Sequence, residues 1–202
     1  SLNVGAWSND GAYYAVARAS GAIAIADAVA PDQGSILHYL DEDITTTVDM
    51  VWSPDPETPH MLASIGYTYP LQLWDASNGT RIRVSSRWIN DPIMVAFSPD
   101  GSKIALATVW GVGVVFDVDS LTYIDSFELS AVPVFAWQDN ETISFFDGEN
   151  QLSFYQVPSD WLHAVNSFTL IDTDTDQPVP GYNPIPVTID APEPENVDIV
   201  LP

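Results

Sequence analysis

The stretch IMVAFSPDGSKIALATVWGVGVVFDVDSLTYIDSF, Ile93 to Phe127, is four short apolar runs separated by turn signals, with no helical periodicity between them. Its first run stops at Ser98-Pro99-Asp100-Gly101. There Pro presets φ for a tight turn, Asp bonds its own backbone and Gly accepts positive φ. The second run, Lys103 to Val109, closes at Trp110-Gly111, the third ends in Phe116-Asp117, and Asp119-Ser120 turns into a fourth, Tyr123 to Phe127. One such unit is a four-stranded antiparallel meander.

Working outward, the turn recurs as Ala6-Trp7-Ser8-Asn9-Asp10-Gly11, as Val51-Trp52-Ser53-Pro54-Asp55-Pro56 and, more faintly, as Ala136-Trp137-Gln138-Asp139-Asn140. The aromatic positions Trp7, Trp52, Phe97 and Trp137 are spaced 45, 45 and 40 residues apart. A second landmark follows each of them, at Ile25-Ala26-Asp27, Leu73-Trp74-Asp75, Val115-Phe116-Asp117 and Phe154-Tyr155-Gln156. Ile23 and Ile25, Leu71 and Leu73, and Leu152 and Phe154 share a face two residues apart, which is strand periodicity.

These residues resemble the WD-repeat family of β-propellers. The WD dipeptide stands at Trp74-Asp75, and repeats of about 40–45 residues are the period of that family. The resemblance covers residues 4 to 156 and implies an all-β fold of four degenerate, four-stranded WD-like blades, as an incomplete ring or part of a larger one. Residues 4–40 then form blade one, 48–87 blade two, 93–129 blade three, and 134–156 three strands of blade four. The family's Gly-His pair has no counterpart, since Asp41-Glu42-Asp43 and Asn90-Asp91-Pro92 occupy the places before the second and third units. Packing is therefore expected to hold the blades together. Blade four needs an outer strand from downstream, with Asn166 to Asp172 as one source, or from another molecule; otherwise an apolar flank stays exposed.

From Val157 the texture changes. The reading divides the chain into WD-like blades at 1–157, a linker at 158–166 and a C-terminal β segment at 167–202. Ser167 to Val179 reads strand, polar turn, strand, and resembles the opening hairpin of small β modules of bacterial secreted or surface proteins. Val187 to Asp190 and Val197 to Leu201 are further expected strands. Asp172, Asp174 and Asp176 alternate like the first ligands of a calcium loop, which makes calcium the one cofactor to consider. Gln177 stands where such a loop needs Gly, so a solvated acidic face is the competing reading.

Charge narrows the partners. Five Lys and Arg against 28 Asp and Glu give a formal net charge of −23, and Lys103 is the single lysine. Nucleic acid and anionic membrane surfaces are poor partners for such a chain, because both require cations to meet phosphate. The acidic, lysine-poor surface fits an extracellular or cell-surface setting as well as an acidic cytoplasmic domain. With no cysteine there is neither a disulfide nor a thiol nucleophile. His38, His60 and His163 sit at no ligand spacing, and no G-x-S-x-G elbow occurs, so no catalytic residue is assigned. Two glycosylation sequons, Asn78-Gly79-Thr80 and Asn140-Glu141-Thr142, fall in expected turns.

In blades two and three, the connections from second to third strand and from one blade to the next carry Tyr67, Tyr69, Trp88 and Trp110. Aromatics with a polar handle suit recognition surfaces. Packing between blades is the competing role for Trp88 and Trp110, and the favoured one for Trp110. The expected function is a noncatalytic interaction scaffold presenting propeller loops to a protein or glycan. A structural subunit of an extracellular oligomer or filament is the alternative, in which copies complete blades or ring, and a propeller hydrolase comes third.

Overall fold

The computed structural model describes residues 4–18, 22–28, 35–40, 46–67, 69–129, 133–147, 149 and 151–159, Tyr69 by its backbone alone, together with the backbone of five short strands beyond them. The chain forms two compact units, Ser1–Val157 and Pro158–Pro202. No described residue is helical.

The first unit is four antiparallel sheets, each strand hydrogen-bonded to its neighbour in sequence. Sheet one holds β1 (Gly5–Trp7), β2 (Tyr13–Ala17), β3 (Ile23–Asp27) and β4 (Ile36–Leu40). Sheet two holds β5 (Thr47–Trp52), β6 (Met61–Gly66), β7 (Tyr69–Asp75) and β8 (Thr80–Val84). In sheet three, β9 (Pro92–Phe97), β10 (Lys103–Thr108), β11 (Val112–Asp117) and β12 (Tyr123–Glu128) follow the four runs of the Ile93–Phe127 stretch. Sheet four has three described strands, β13 (Phe135–Trp137), β14 (Thr142–Phe146) and β15 (Leu152–Gln156). The second landmarks mark the ends of the third strands at Asp27, Asp75, Asp117 and Gln156.

Strand alternation explains how the sheets stack. In β10, Ile104 and Leu106 enter one apolar cluster while Ala105 and Ala107 enter another, so a central strand is buried on both faces. The first of these clusters joins sheets two and three through Leu71, Leu73, Val95, Phe97 and Phe116. The second joins sheets three and four through Val115, Phe127, Phe135 and Ile143. A third cluster joins sheets one and two through Ile23, Ile25, Trp52, Leu62 and Trp74. Each fully buried Leu, Ile or Phe contributes about 1.5–3 kcal/mol relative to exposure.

Packing is not the whole adhesive. Trp52 Nε1 donates to the Ala6 carbonyl at 3.0 Å, and Trp137 Nε1 to the Ala96 carbonyl at 3.1 Å, each reaching back to the preceding sheet. The backbone N–H of Val95 donates to Asp49 Oδ2 at 3.0 Å, tying sheet three to sheet two. The Trp of the WD pair is fully buried and donates through Nε1 to Ser64 Oγ at 2.9 Å, while Asp75 accepts from Ser77 and Asn78 within its own turn.

In the second unit β16 (Val165–Phe168) pairs antiparallel with β19 (Ile185–Thr188). There β17 (Leu170–Asp172) pairs antiparallel with β18 (Gln177–Pro178) and parallel with β20 (Ile199–Val200). Two strands thus pair antiparallel where the hairpin around the aspartates is expected, and residues 173–176 between them lie outside the described residues. The partners described for β16 and β17, within the range considered for an outer strand of sheet four, lie in the second unit.

Candidate functional site

Sheets two and three of the first unit have two ends of different chemistry, the first of them shared with sheets one and four. At the first, the turns joining first and second strands repeat one device. Asp10 Oδ1 accepts from Ser8 Oγ at 2.6 Å and Ala12 N at 2.9 Å. Asp100 Oδ1 accepts from Ser98 Oγ at 2.7 Å, Ser102 N at 3.0 Å and Ser102 Oγ at 2.8 Å. Asp139 Oδ1 accepts from the N–H groups of Glu141 and Thr142 at 2.8 and 2.7 Å. Hydrogen bonds to the charged form favour it. The Ser8 hydroxyl accordingly holds Asp10 below the usual carboxylate range. For Asp100, burial pushes the pKa up but is outweighed by the bonds from Ser102 and Ser98 and by Lys103. Asp139 is lowered chiefly by the Glu141 N–H.

Both sequon asparagines belong to this end and both are engaged. Asn78 donates to Asp75 Oδ2 at 2.8 Å, and Asn140 Oδ1 accepts from the Asp100 N–H at 3.0 Å across two sheets. A pocket of about 210 Å³ opens here between Glu57, His60, Asp75 and Ile82. It is smaller than the ~300–1,000 Å³ of ordinary small-molecule sites. At its wall, His60 Nδ1 is buried without a hydrogen-bond partner.

The opposite end is aromatic. Tyr67, in the β6–β7 turn, is 46% exposed; Trp88, between β8 and β9, is 52% exposed; Trp110, in the β10–β11 turn, is 73% exposed. Trp110 is therefore not a core residue: its turn projects past the sheet, and its indole faces outward. Tyr69 lies in β7, paired with Gly66, next to the same turn. The connectivity gathers these four residues at one end of sheets two and three.

One residue that the sequence reading did not single out organises this end. Asp91 accepts from Trp110 Nε1 through Oδ2 at 3.0 Å, and its carbonyl accepts from Val109 N at 3.0 Å. It adopts φ of +50°, a left-handed conformation that Asp tolerates better than most residues. Asn90-Asp91-Pro92 is a turn signal in the sequence, but which aromatic it would hold depends on a contact 19 residues away. Nearby, the Arg87 guanidinium lies 4.0 Å from the Tyr123 ring centroid, a cation–π contact.

Of the aspartates considered for calcium, Asp172 is the last residue of β17, paired with Gln177, while Asp174 and Asp176 lie outside the described residues. His163 lies outside them too.

No protein-family model matches the chain, and no curated protein matches its sequence. Solved structures match its fold. The C-terminal WD40 domain of Sif2 superposes with a TM-score of 0.64 at 18% identity over 77% of this chain. An Hsv2 variant, KlHsv2 with loop 6CD replaced by a Gly-Ser linker, gives 0.58 at 16% identity, also over 77%. The chain spans 47% and 57% of the lengths of those two proteins. Its first unit thus has the all-β, WD-like propeller fold that the repeats imply, and the four sheets are its blades.

Proposed function

We propose that the chain is a noncatalytic interaction scaffold that engages a protein or glycan partner through the aromatic end of blades two and three. The observation that carries this reading is the trio Tyr67, Trp88 and Trp110, large rings left open to solvent on loops of a rigid β framework. Such rings bury much area on contact, and their polar tips can find partners at the rim. Asp91 adds preorganisation, because an indole already held in one orientation loses less side-chain freedom on binding. The net charge of −23 disfavours acidic partners and favours neutral or basic ones.

The test uses the full chain against a glycan array and a displayed-peptide library. Any ligand found is then titrated against Trp88→Ala, Trp110→Ala and Tyr67→Ala. The reading expects at least one of the tryptophan variants to lose about tenfold or more in affinity with its thermal midpoint unmoved. Equal affinity for wild type and all three variants would discard it.

A further inference from the structure

Blade two differs from its neighbours at the turn end in the length of one connection. The chain between β5 and β6 is eight residues, 53–60, where blades one and three use five between the corresponding strands and blade four uses four. The longer connection lies against the β7–β8 turn, where the Ala76 N–H donates to the His60 carbonyl at 2.9 Å. Its own conformation is fixed as well. The Glu57 N–H donates to Asp55 Oδ1 at 2.9 Å, and the hydroxyl oxygens of Ser53 and Thr58 are hydrogen-bonded at 3.0 Å. Extra loop length on a rigid scaffold is where binding residues concentrate.

The pocket of about 210 Å³ is the space between this connection and that turn. Glu57, Pro59, His60 and Met61 line it from one side, Asp75 and Ile82 from the other. Pro59, Met61 and Ile82 make part of its surface apolar, and Ile82 is exposed. Two carboxylates stand beside that apolar surface, and none of the lining residues is Lys or Arg. Asp75 Oδ2 accepts one hydrogen bond, from Asn78, and keeps a lone pair for a further donor. His60 Nδ1 is one of two side-chain atoms among the described residues that are buried without a hydrogen-bond partner. Buried polar atoms in native structures are nearly always paired, so an orphan in the lining of a pocket calls for a donor from outside. With the ring proton on Nε2, this nitrogen is an acceptor.

We infer that this pocket takes the side chain of a lysine or arginine from a partner protein, with its methylene stem against Met61 and Ile82 and its cationic head among Glu57, Asp75 and His60 Nδ1. Such side chains lay their stems along apolar surface and carry a donor-only head, which matches a lining that offers apolar contact and acceptors together. A volume below that of ordinary small-molecule sites suits one side chain rather than a whole ligand. The net charge of −23 acts in the same direction, drawing a basic segment toward the chain. The pocket lies at the end opposite Tyr67, Trp88 and Trp110, so it does not rest on the aromatic reading, and either can fail alone.

The experiment titrates the full, isotope-labelled chain with end-blocked Gly-Lys-Gly, Gly-Arg-Gly and Gly-Gln-Gly, following the His60 ring and the Met61 and Ala76 amides by NMR. One of the two basic peptides is expected to give saturable shifts at these positions with a Kd below about 10 mM, and the glutamine peptide none. Glu57→Gln and Ile82→Ser, both at exposed positions, should each weaken that binding by about threefold or more with unchanged circular dichroism. His60→Phe keeps a ring against Tyr13 but not Nδ1, and a loss of about two- to tenfold is expected. Glu141→Gln, an exposed position in the β13–β14 turn, makes the same change in net charge as Glu57→Gln and should leave the affinity as it is. The inference is overturned by no saturable shift with either basic peptide, by equal binding of the glutamine peptide, by unchanged affinity in the three pocket variants, or by a loss in Glu141→Gln as large as in Glu57→Gln.

Discussion

At the turn end of the blades Asp10, Asp100 and Asp139 sit near solvent and are wrapped by hydroxyl and N–H donors, whereas Asp49, toward the other end, sits between blades two and three. The turn carboxylates are lowered. Asp49 is raised, because burial outweighs the N–H bonds it receives from Val95 and Met50. One residue type therefore does two jobs. At the turns it replaces missing backbone partners, the donors of its own loop converging on one oxygen, Oδ1. Between blades it crosslinks two sheets at a desolvation cost. The aromatic end is the one that exposes large rings, which contribute most area on contact, and that makes the acidic end, for all its charge, the weaker candidate for recognition.

The largest expected effect comes from the closest contact at the turn end. Gly101 has φ of +77°, and a Cβ there would lie 2.8 Å from Asp55 Cβ on the neighbouring blade. Gly11 occupies the equivalent turn of blade one at φ +71°, with nothing within 4 Å of its would-be Cβ. Gly101→Ala should cost about 2–3 kcal/mol and Gly11→Ala about 1–2 kcal/mol, the latter from left-handed strain alone. Urea unfolding of both variants measures the difference, and equal losses would show that the two turns do not press on each other as described.

Next comes Asp100→Ala, which leaves the Ser98 hydroxyl and the Ser102 N–H and hydroxyl without their shared acceptor. A loss of about 1–2 kcal/mol near neutral pH is expected. The pH dependence has a definite sign. A carboxylate whose folded pKa is depressed contributes stability above its ordinary value and loses it as pH falls through the lower folded one. The gap between wild type and Asp100→Ala should therefore be constant above about pH 5 and close below the ordinary value of 3.8. Thermal melts from pH 7 to 2.5 check it.

The fold was legible because its signals are local and repeated. Ser98-Pro99-Asp100-Gly101 states a turn, Ile104-Ala105-Leu106-Ala107 states a strand buried on both faces, and the 45-residue spacing states that blades stack. Contacts between blades were not legible. Nothing in the sequence near Trp52 names Ala6 as its acceptor, and nothing near Asp91 names Trp110, since each bond spans a separation that only the stacked sheets define. The aromatic candidates came from connectivity alone, which places a residue at an end of a sheet without fixing its exposure. Hence connectivity points to Trp110 as core, while the indole projects outward.

Asp49 gives a smaller effect with the opposite sign. Its raised pKa means that the folded state binds more protons than the unfolded one between 3.8 and the raised value. Wild type should therefore gain stability from this residue as pH falls through that window. Asp49→Asn keeps an acceptor for Val95 N without a charge to desolvate. It is expected to be more stable than wild type at pH 7, by less than about 1 kcal/mol, with the advantage shrinking toward pH 4. A variant that is less stable at pH 7, with a gap that narrows on acidification, would mean that the carboxylate's bonds outweigh its burial.

The smallest expected change in stability is at the aromatic end. Trp110→Ala removes a side chain that is 73% exposed and should move stability by no more than about 0.5 kcal/mol. Asp91→Ala is different, because Asp91 holds both Trp110 and the Val109 N–H while adopting φ of +50°. Alanine keeps the carbonyl but tolerates that conformation less well, and about 1 kcal/mol should be lost. Asp91→Asn keeps an acceptor and a residue at ease with positive φ, so it should match wild type in stability. Comparing the three variants separates a structural clamp from a recognition element. Where Trp110→Ala lowers ligand affinity at unchanged stability and Asp91→Asn preserves both, the aspartate's work is to orient the indole. Where Trp110→Ala destabilises as much as Asp91→Ala, the indole itself holds the loop, and the aromatic end becomes structural like the turn end opposite it.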